Sequence, residues 1–227
     1  LFLDKNKSKI DFIINIFGNK NEINNSIRKF NINNNSINIF HSDKVVSDDV
    51  SPMTAVKNAR NTSMWNRIQH QLDGKSDISL SAGNTGVLLV ISRMILKTIS
   101  KVNKPALAGL WPNQNGMNVV LDLGANIECN SKNLVDFSIM GASLYKSFYP
   151  NETPNAALLN IGSEELKGNE IIKETFQILN EKKSNNFNFS GYIEGNELMD
   201  GKVNVIVSDG FTGNVALKTA EGTANFI

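Results

Sequence analysis

The chain has 227 residues, 41% hydrophobic and 20% charged, with a formal net charge of +1. That profile excludes a disordered or collagen-like chain and leaves a folded globular protein with room for a real core. A single cysteine, Cys129, excludes an internal disulfide framework and suits a reducing cytosol. No lysine- and arginine-rich run with interleaved aromatics supports nucleic-acid binding, and no apolar run approaches the ~20 residues of a membrane span.

In chain order, Asp11 to Phe17 predicts a strand ending at Gly18, Glu22 to Phe30 a weak helix, and Ile37 to Phe40 a second strand. Residues 19 to 38 are crowded with Asn, Ile and Lys, and read as a tolerant surface helix and loop. Ser51-Pro52 is a helix start, with Ser at the cap and Pro in the first turn, for a helix running to His70 or Leu72 and stopping at Gly74. Asp77 to Ser81 follows as a strand, then a buried helix from Asn84 to about Ile99. Ala106 to Leu110 and Val119 to Leu123 are strands, and the Pro112–Gly116 turn between them predicts a local antiparallel pair. Ser131 is expected to cap a helix reaching about Ser147. Ala156 to Ile161, a helix over Glu170 to Glu181, Phe187 to Tyr192, Val203 to Ser208 and a terminal helix from Thr212 complete the series. The alternation predicts a three-layer αβα sandwich with a mostly parallel sheet. The chain opens at Leu1 without an initiator methionine and stops inside its last predicted helix, so it reads as one incomplete α/β catalytic domain over 1–227.

Four apolar runs end alike, in a small polar residue and a glycine turn. They close with Ser81-Ala82-Gly83-Asn84-Thr85-Gly86, Asp122-Leu123-Gly124-Ala125-Asn126, Asn160-Ile161-Gly162 and Asp209-Gly210-Phe211-Thr212-Gly213-Asn214. Strands of one parallel sheet end at one edge, so the four turns are expected to meet in one crevice lined by N–H groups, amides and hydroxyls. Gly83 and Gly86 would let backbone approach a ligand, with Asn84 and Thr85 at the free N–H groups of a helix start, where an anion binds. The same residues also fit an ordinary capped turn. No Gly-x-Gly-x-x-Gly opens a helix and no Walker A motif is present, which disfavours a Rossmann dehydrogenase or a P-loop NTPase.

Acid–base groups are sparse. His41 and His70 lie away from every glycine turn and read as surface or helix-face residues. Cys129 has no cationic partner nearby in sequence, which argues against a nucleophilic thiolate. No His/Cys spacing suggests a metal. Lys167, in Glu164-Glu165-Leu166-Lys167-Gly168, is the best cation for an anion or a developing oxyanion, though a surface charge cluster fits equally. Anion binding without a protein nucleophile makes sense if the anion itself attacks a carbonyl.

The ordered series Ser81–Gly86, Asp122–Asn126, Asn160–Gly162 with Glu164-Glu165 and Lys167-Gly168, and Asp209–Asn214 closely resembles the PlsX family of bacterial phosphate acyltransferases. The likeness runs from about Ser51 to Ile227, with Ser63-Met64, Cys129 and Gly191-Tyr192 also in keeping with it. The resemblance implies transfer of a long acyl group from acyl carrier protein to inorganic phosphate, with no cofactor. It implies a homodimer with a fold related to phosphotransacylases and isocitrate dehydrogenase. It further implies a cytoplasmic enzyme, in peripheral contact with the membrane, whose product passes to a membrane glycerol-3-phosphate acyltransferase. Against the family pattern, an opening strand before Leu1 and helices after Ile227 are missing, and Ser163 stands where another acidic residue is frequent.

On this reading Ser81, Gly83, Asn84, Thr85 and Gly86 bind phosphate. Thr212 and Asn214, with Gly210 and Gly213, complete the cradle or hold the thioester oxygen. Asn126 and Asn160 line the crevice, Asp122 and Asp209 orient the loops, and Lys167 stabilises charge, so that Lys167, Asp209 and Asn214 form the catalytic set. The alternatives are a short-chain phosphotransacylase using acyl-CoA and a non-catalytic anion-binding remnant.

Overall fold

The structure, a computed structural model, describes residues 12–33, 35–46, 52–100, 102–181 and 184–227. The chain divides into two compact units, residues 1–97 and 98–227.

In the first unit β1 (Ile14–Gly18) and β2 (Ile37–His41) pair in parallel, Ile14 opposite Ile37. They are joined through α1 (Lys20–Lys29), which Asn19 caps by accepting from the amides of Asn21 and Glu22. None of α1's side chains is buried, as a tolerant surface helix requires. Asp11 and the Ser51 cap lie outside the described residues.

The helix expected from Ser51 to Leu72 is two helices, α2 (Pro52–Lys57) and α3 (Ser63–Leu72). Asn61 breaks it with a φ of 65°, and the buried Thr62 hydroxyl both donates to the Ala59 carbonyl (2.6 Å) and accepts from the Trp65 amide (3.2 Å). A side-chain cap of that kind starts a new helix. Helix α4 (Thr85–Leu96) buries Val87, Ile91 and Ile95, four residues apart, against Ala55, Ala59, Met64 and Ile68. One apolar stripe at helical spacing thus holds three helices together.

Asp77–Ser81 is not a strand. A strand exists through its pairing, and here α3 takes the segment's carbonyls instead. The Arg67 guanidinium donates to Leu80 O and Gln71 Nε2 to Asp77 O (3.3 Å). Ile78 and Leu80 are 75% and 83% exposed, and a groove of about 1070 Å³ is lined by this segment and β1. No described strand lies against either edge of the segment.

The second unit is built on a five-stranded sheet. β3 (Gly109–Asn113), β4 (Gly116–Leu121), β5 (Asn155–Asn160), β6 (Asn188–Glu194) and β7 (Val205–Val207) take the order β3-β4-β7-β5-β6. Only β3 runs antiparallel, as the turn chemistry predicts, with Pro112 tolerated because β3 is an edge strand. Alternate residues go to opposite faces. Val119, Leu121, Val205, Val207, Ala156 and Leu158 join one core with α5 (Ser131–Phe148) and α6 (Glu170–Glu181), through Leu134, Phe137, Ile172 and Leu179. Val120, Ile206, Ala157 and Leu159 join another, with Ala216, Leu217 and Ala220 of α7 (Gly210–Phe226). Helices therefore cover both faces of a mostly parallel sheet, the three-layer arrangement expected.

Boundaries move by one to three residues, most at β3, which is Gly109–Asn113 rather than Ala106–Leu110, so that Pro112 and Asn113 belong to the strand and not to the turn, and at α4, which ends at Leu96. Asn130, not Ser131, caps α5, in a reciprocal box with Asn133. Helix α7 begins at Gly210 because Asp209 caps it. Among the described residues no helix is long and apolar enough to cross a membrane.

Candidate functional site

Parallel β4, β7 and β5 are neighbours, so the loops after them emerge at one sheet edge. Three of the four predicted turns are these loops. The fourth, Ser81–Gly86, follows the unpaired segment in the first unit and belongs to no sheet.

The β4 loop is organised by Asp122, which is 0% exposed. Its Oδ1 accepts from the amides of Leu107 (3.0 Å), Gly124 (3.2 Å) and Ala125 (2.9 Å), and its Oδ2 from the Asn126 amide (2.8 Å) and Asn126 Nδ2 (2.7 Å). Burying a carboxylate is costly unless it is hydrogen-bonded in this way. The carboxylate is committed to the loop, as the role of orienting it requires. Asn126 is committed too, its Nδ2 also donating to Pro105 O (2.7 Å).

The β7 loop docks directly on the β4 loop. The Gly210 amide donates to the Asn126 carbonyl (2.8 Å), and a β-carbon at Gly210 would stand 2.6 Å from that oxygen. At Gly213 a β-carbon would collide with Asp122 O and come within 2.8 Å of Ser208 Oγ. Only glycine admits that approach. Asp209 accepts from the Thr212 amide (2.8 Å) and from the Thr212 hydroxyl (3.1 Å). Thr212 and Asn214 are exposed, and the Asn214 side chain lies beside Gly124, where an added β-carbon would be 3.5 Å away. Two segments far apart in number, 122–126 and 209–214, are thus brought into one structure.

The β5 loop closes on Asn160, whose Nδ2 donates to Gly162 O and Lys167 O, both at 3.1 Å. Asn160 is buried and shapes the loop, while Lys167 is exposed and among the described residues its ammonium has no partner.

In the first unit Asn84 caps α4, its Oδ1 accepting from the Val87 amide (3.0 Å), and Ser81 Oγ accepts from the Gly83 amide (3.2 Å). Thr85 is exposed at the head of a 12-residue helix, whose first amides have no intrahelical partner.

The candidate nucleophile and bases are engaged by their own surroundings. The buried Cys129 lies 3.7 Å from Asn126 O, and burial, then the Asp122 charge, push its thiol up. A thiolate is disfavoured there. His70 packs against Phe17 and Phe40, which stack on each other, and lies 2.8 Å from Ser76 Oγ, and His41 pairs with Asp43 (3.2 Å). What sequence reasoning missed is the direction in which the amides and carboxylates turn. The Asp-x-x-x-Asn spacing of 122 and 126 is the signal, since a short acidic side chain before a glycine turn folds back on the following amides.

The chain matches the family model described as Fatty acid synthesis protein over residues 3–227. It is 59% identical to a phosphate acyltransferase of Pelagibacter ubique, over 97% of this chain and 66% of that protein. It is 44% identical to a phosphate acyltransferase of Maricaulis maris, over 82% of this chain and 53% of that one. The chain therefore spans between about half and two-thirds of the length of these relatives. Among solved structures, EutD phosphotransacetylase from Staphylococcus aureus superposes with a TM-score of 0.67 at 17% identity, covering 96% of this chain and 76% of that one. A branched-chain phosphotransacylase from Enterococcus faecalis gives 0.55 at 14% identity, covering 92% and 84%. At such identities the likeness is one of fold.

Proposed function

Because the chain belongs to the Fatty acid synthesis protein family, the PlsX phosphate acyltransferases, we propose that it makes acyl phosphate from long-chain acyl-[acyl carrier protein] and inorganic phosphate. The observation that carries the reading is the interlocked pair of loops after β4 and β7, which presents hydroxyl, amide and N–H groups at a sheet edge while the cysteine and both histidines are turned to other work. Such a site supplies positioning and charge stabilisation, and leaves the attack to the phosphate.

The second ionisation of phosphate lies near neutral pH, so much of it is already a nucleophilic dianion. One of its oxygens attacks the thioester carbonyl, the carbonyl oxygen becomes an oxyanion, and the C–S bond breaks to release the carrier's thiolate, which takes up a proton. Asn84 and Thr85, with the amides around Ser81, Gly83 and Gly86, bind phosphate through the head of α4. Asn214 donates to the thioester oxygen, Thr212 completes the cradle with its own amide and hydroxyl protons given to Asp209, and Lys167 stabilises the charge that develops there. Asp209 is a positioning residue, fixing the Thr212 hydroxyl. Asp122, Asn126 and Asn160 hold the loops, and Gly210 and Gly213 let them meet. The enzyme works as a homodimer in the cytoplasm, in peripheral contact with the membrane, and passes its product to a membrane glycerol-3-phosphate acyltransferase.

The experiment is product trapping. Long-chain acyl-[acyl carrier protein] and phosphate should yield a hydroxylamine-trappable acyl phosphate, and Asn214→Leu should lower kcat by about 10²-fold or more, as when one oxyanion donor is removed. Equal or better turnover of a short acyl-CoA would instead favour a short-chain phosphotransacylase, and phosphate binding without turnover a non-catalytic anion-binding protein.

A further inference from the structure

Four large apolar side chains stand open at the same sheet edge of the second unit. Ile127 is 73% exposed, Ile161 81%, Leu166 87% and Phe211 63%. Ile127 follows β4, Phe211 follows β7, and Ile161 and Leu166 follow β5, three adjacent strands. Two strand spacings put these loops on an edge roughly 10 Å wide. Ile127 and Phe211 flank the hydrogen bond from the Gly210 amide to the Asn126 carbonyl. Ile161 and Leu166 sit on the loop that Asn160 ties together. Single exposed apolar residues need no account, but four on one edge of otherwise polar loops do.

The occupant follows from chemistry already assigned, so the inference rests on the acyl-transfer reading above. Phe211 adjoins Thr212, and Leu166 adjoins Lys167. A thioester carbonyl held beside those residues, by Asn214 and Lys167, has its hydrocarbon bonded to the reacting carbon itself. The first methylenes must leave the carbonyl across whatever surface borders the donors, and Phe211 and Leu166 are their neighbours in the chain, with Ile127 and Ile161 on the adjoining loops. We propose that Ile127, Ile161, Leu166 and Phe211 form an apolar shelf that holds the proximal part of the acyl chain and sets the preference for long acyl donors. The shelf is open, so it rewards added methylenes without a wall to reject them. A fully desolvated methylene is worth about fourfold in affinity, and a half-covered one less.

The test compares butanoyl-, octanoyl- and hexadecanoyl-[acyl carrier protein] with the parent chain, Ile161→Ser, Leu166→Ser and Phe211→Ser, measuring kcat/KM with phosphate and equilibrium binding of each donor. All three sites are exposed, so circular dichroism and thermal midpoints should stay at parental values. The expected result is a hexadecanoyl-to-butanoyl ratio lower by about fivefold or more in each variant, in binding as in turnover, with Leu166→Met restoring it. Ratios within twofold of the parent in all three variants overturn the shelf while leaving acyl transfer standing. A parent that binds and converts none of the donors removes the acyl-transfer reading and the shelf with it. Variants that change the sedimentation coefficient while keeping the parental ratio assign the face to a second copy of the chain, which also overturns the proposal.

Discussion

Five N–H groups converge on the Asp122 carboxylate, and an amide in its place would turn an NH2 towards amides that need an acceptor. Asp122→Asn should therefore destabilise the protein by about 2–3 kcal/mol, read as a lower urea midpoint at unchanged slope. An unchanged midpoint would deny the carboxylate its organising role. Tyr145 carries a pH dependence of its own. Its hydroxyl donates to Glu152 Oε2 (2.7 Å) and accepts from Asn204 Nδ2 (3.0 Å), and burial, with the Glu152 carboxylate beside it, pushes the phenol up to about 12 from 10. Above pH 10 the unfolded chain loses a proton that the folded chain keeps, so stability falls with rising pH. The contribution is whole below pH 10 and gone once pH passes about 12. Tyr145→Phe should flatten that part of the stability profile, and an equally steep fall in the variant would place its source elsewhere. Cys129, whose thiol burial pushes up, is expected to be dispensable for turnover, with Cys129→Ala keeping parental kcat under phosphate-saturating assay.

At the scale of elements, the entry to α7 is the most demanding junction. Gly213 lies against the Asp122 backbone and Gly210 against the Asn126 backbone, so two loops seat only where no β-carbon intervenes. Gly213→Ala should cost about 1–3 kcal/mol or more through overpacking and shift the thermal midpoint accordingly, whereas Gly222→Ala, with nothing within 4 Å of the added carbon, should be neutral or stabilising. Most elements were legible because each announces itself locally. Val119–Leu121, Ala157–Leu159 and Val205–Val207 are continuous apolar runs, and the Val87, Ile91, Ile95 stripe has helical spacing. The failures also have local causes. Residues 77–81 have a strand's composition, but pairing is a property of neighbours, and side chains of α3 took their carbonyls. The break at Asn61-Thr62 was written in the sequence as a helix stop followed by a cap, but apolar residues on both sides hid it.

For the whole molecule, three of the four expected strand-end loops lie where the sequence motifs put them, and the fourth, Ser81–Gly86, follows no strand. The division of labour among them stayed obscure. Asp122, Asn126 and Asn160 turn inwards to backbone groups, while Thr212, Asn214 and Lys167 face solvent. Burial and the direction of a hydrogen bond depend on which strands are adjacent, and the order β4-β7-β5 is not readable from chain order. The same order places three parallel strand ends together and makes a nucleophile-free polar edge out of distant segments. Isotope tracing tests this account most directly. With 18O-labelled phosphate and long-chain acyl-[acyl carrier protein], the account predicts one labelled phosphate oxygen bridging to the acyl carbon in the intact acyl phosphate, read by mass spectrometry before any trapping, and a rate that saturates in phosphate. Release of free fatty acid at a rate indifferent to phosphate would contradict it.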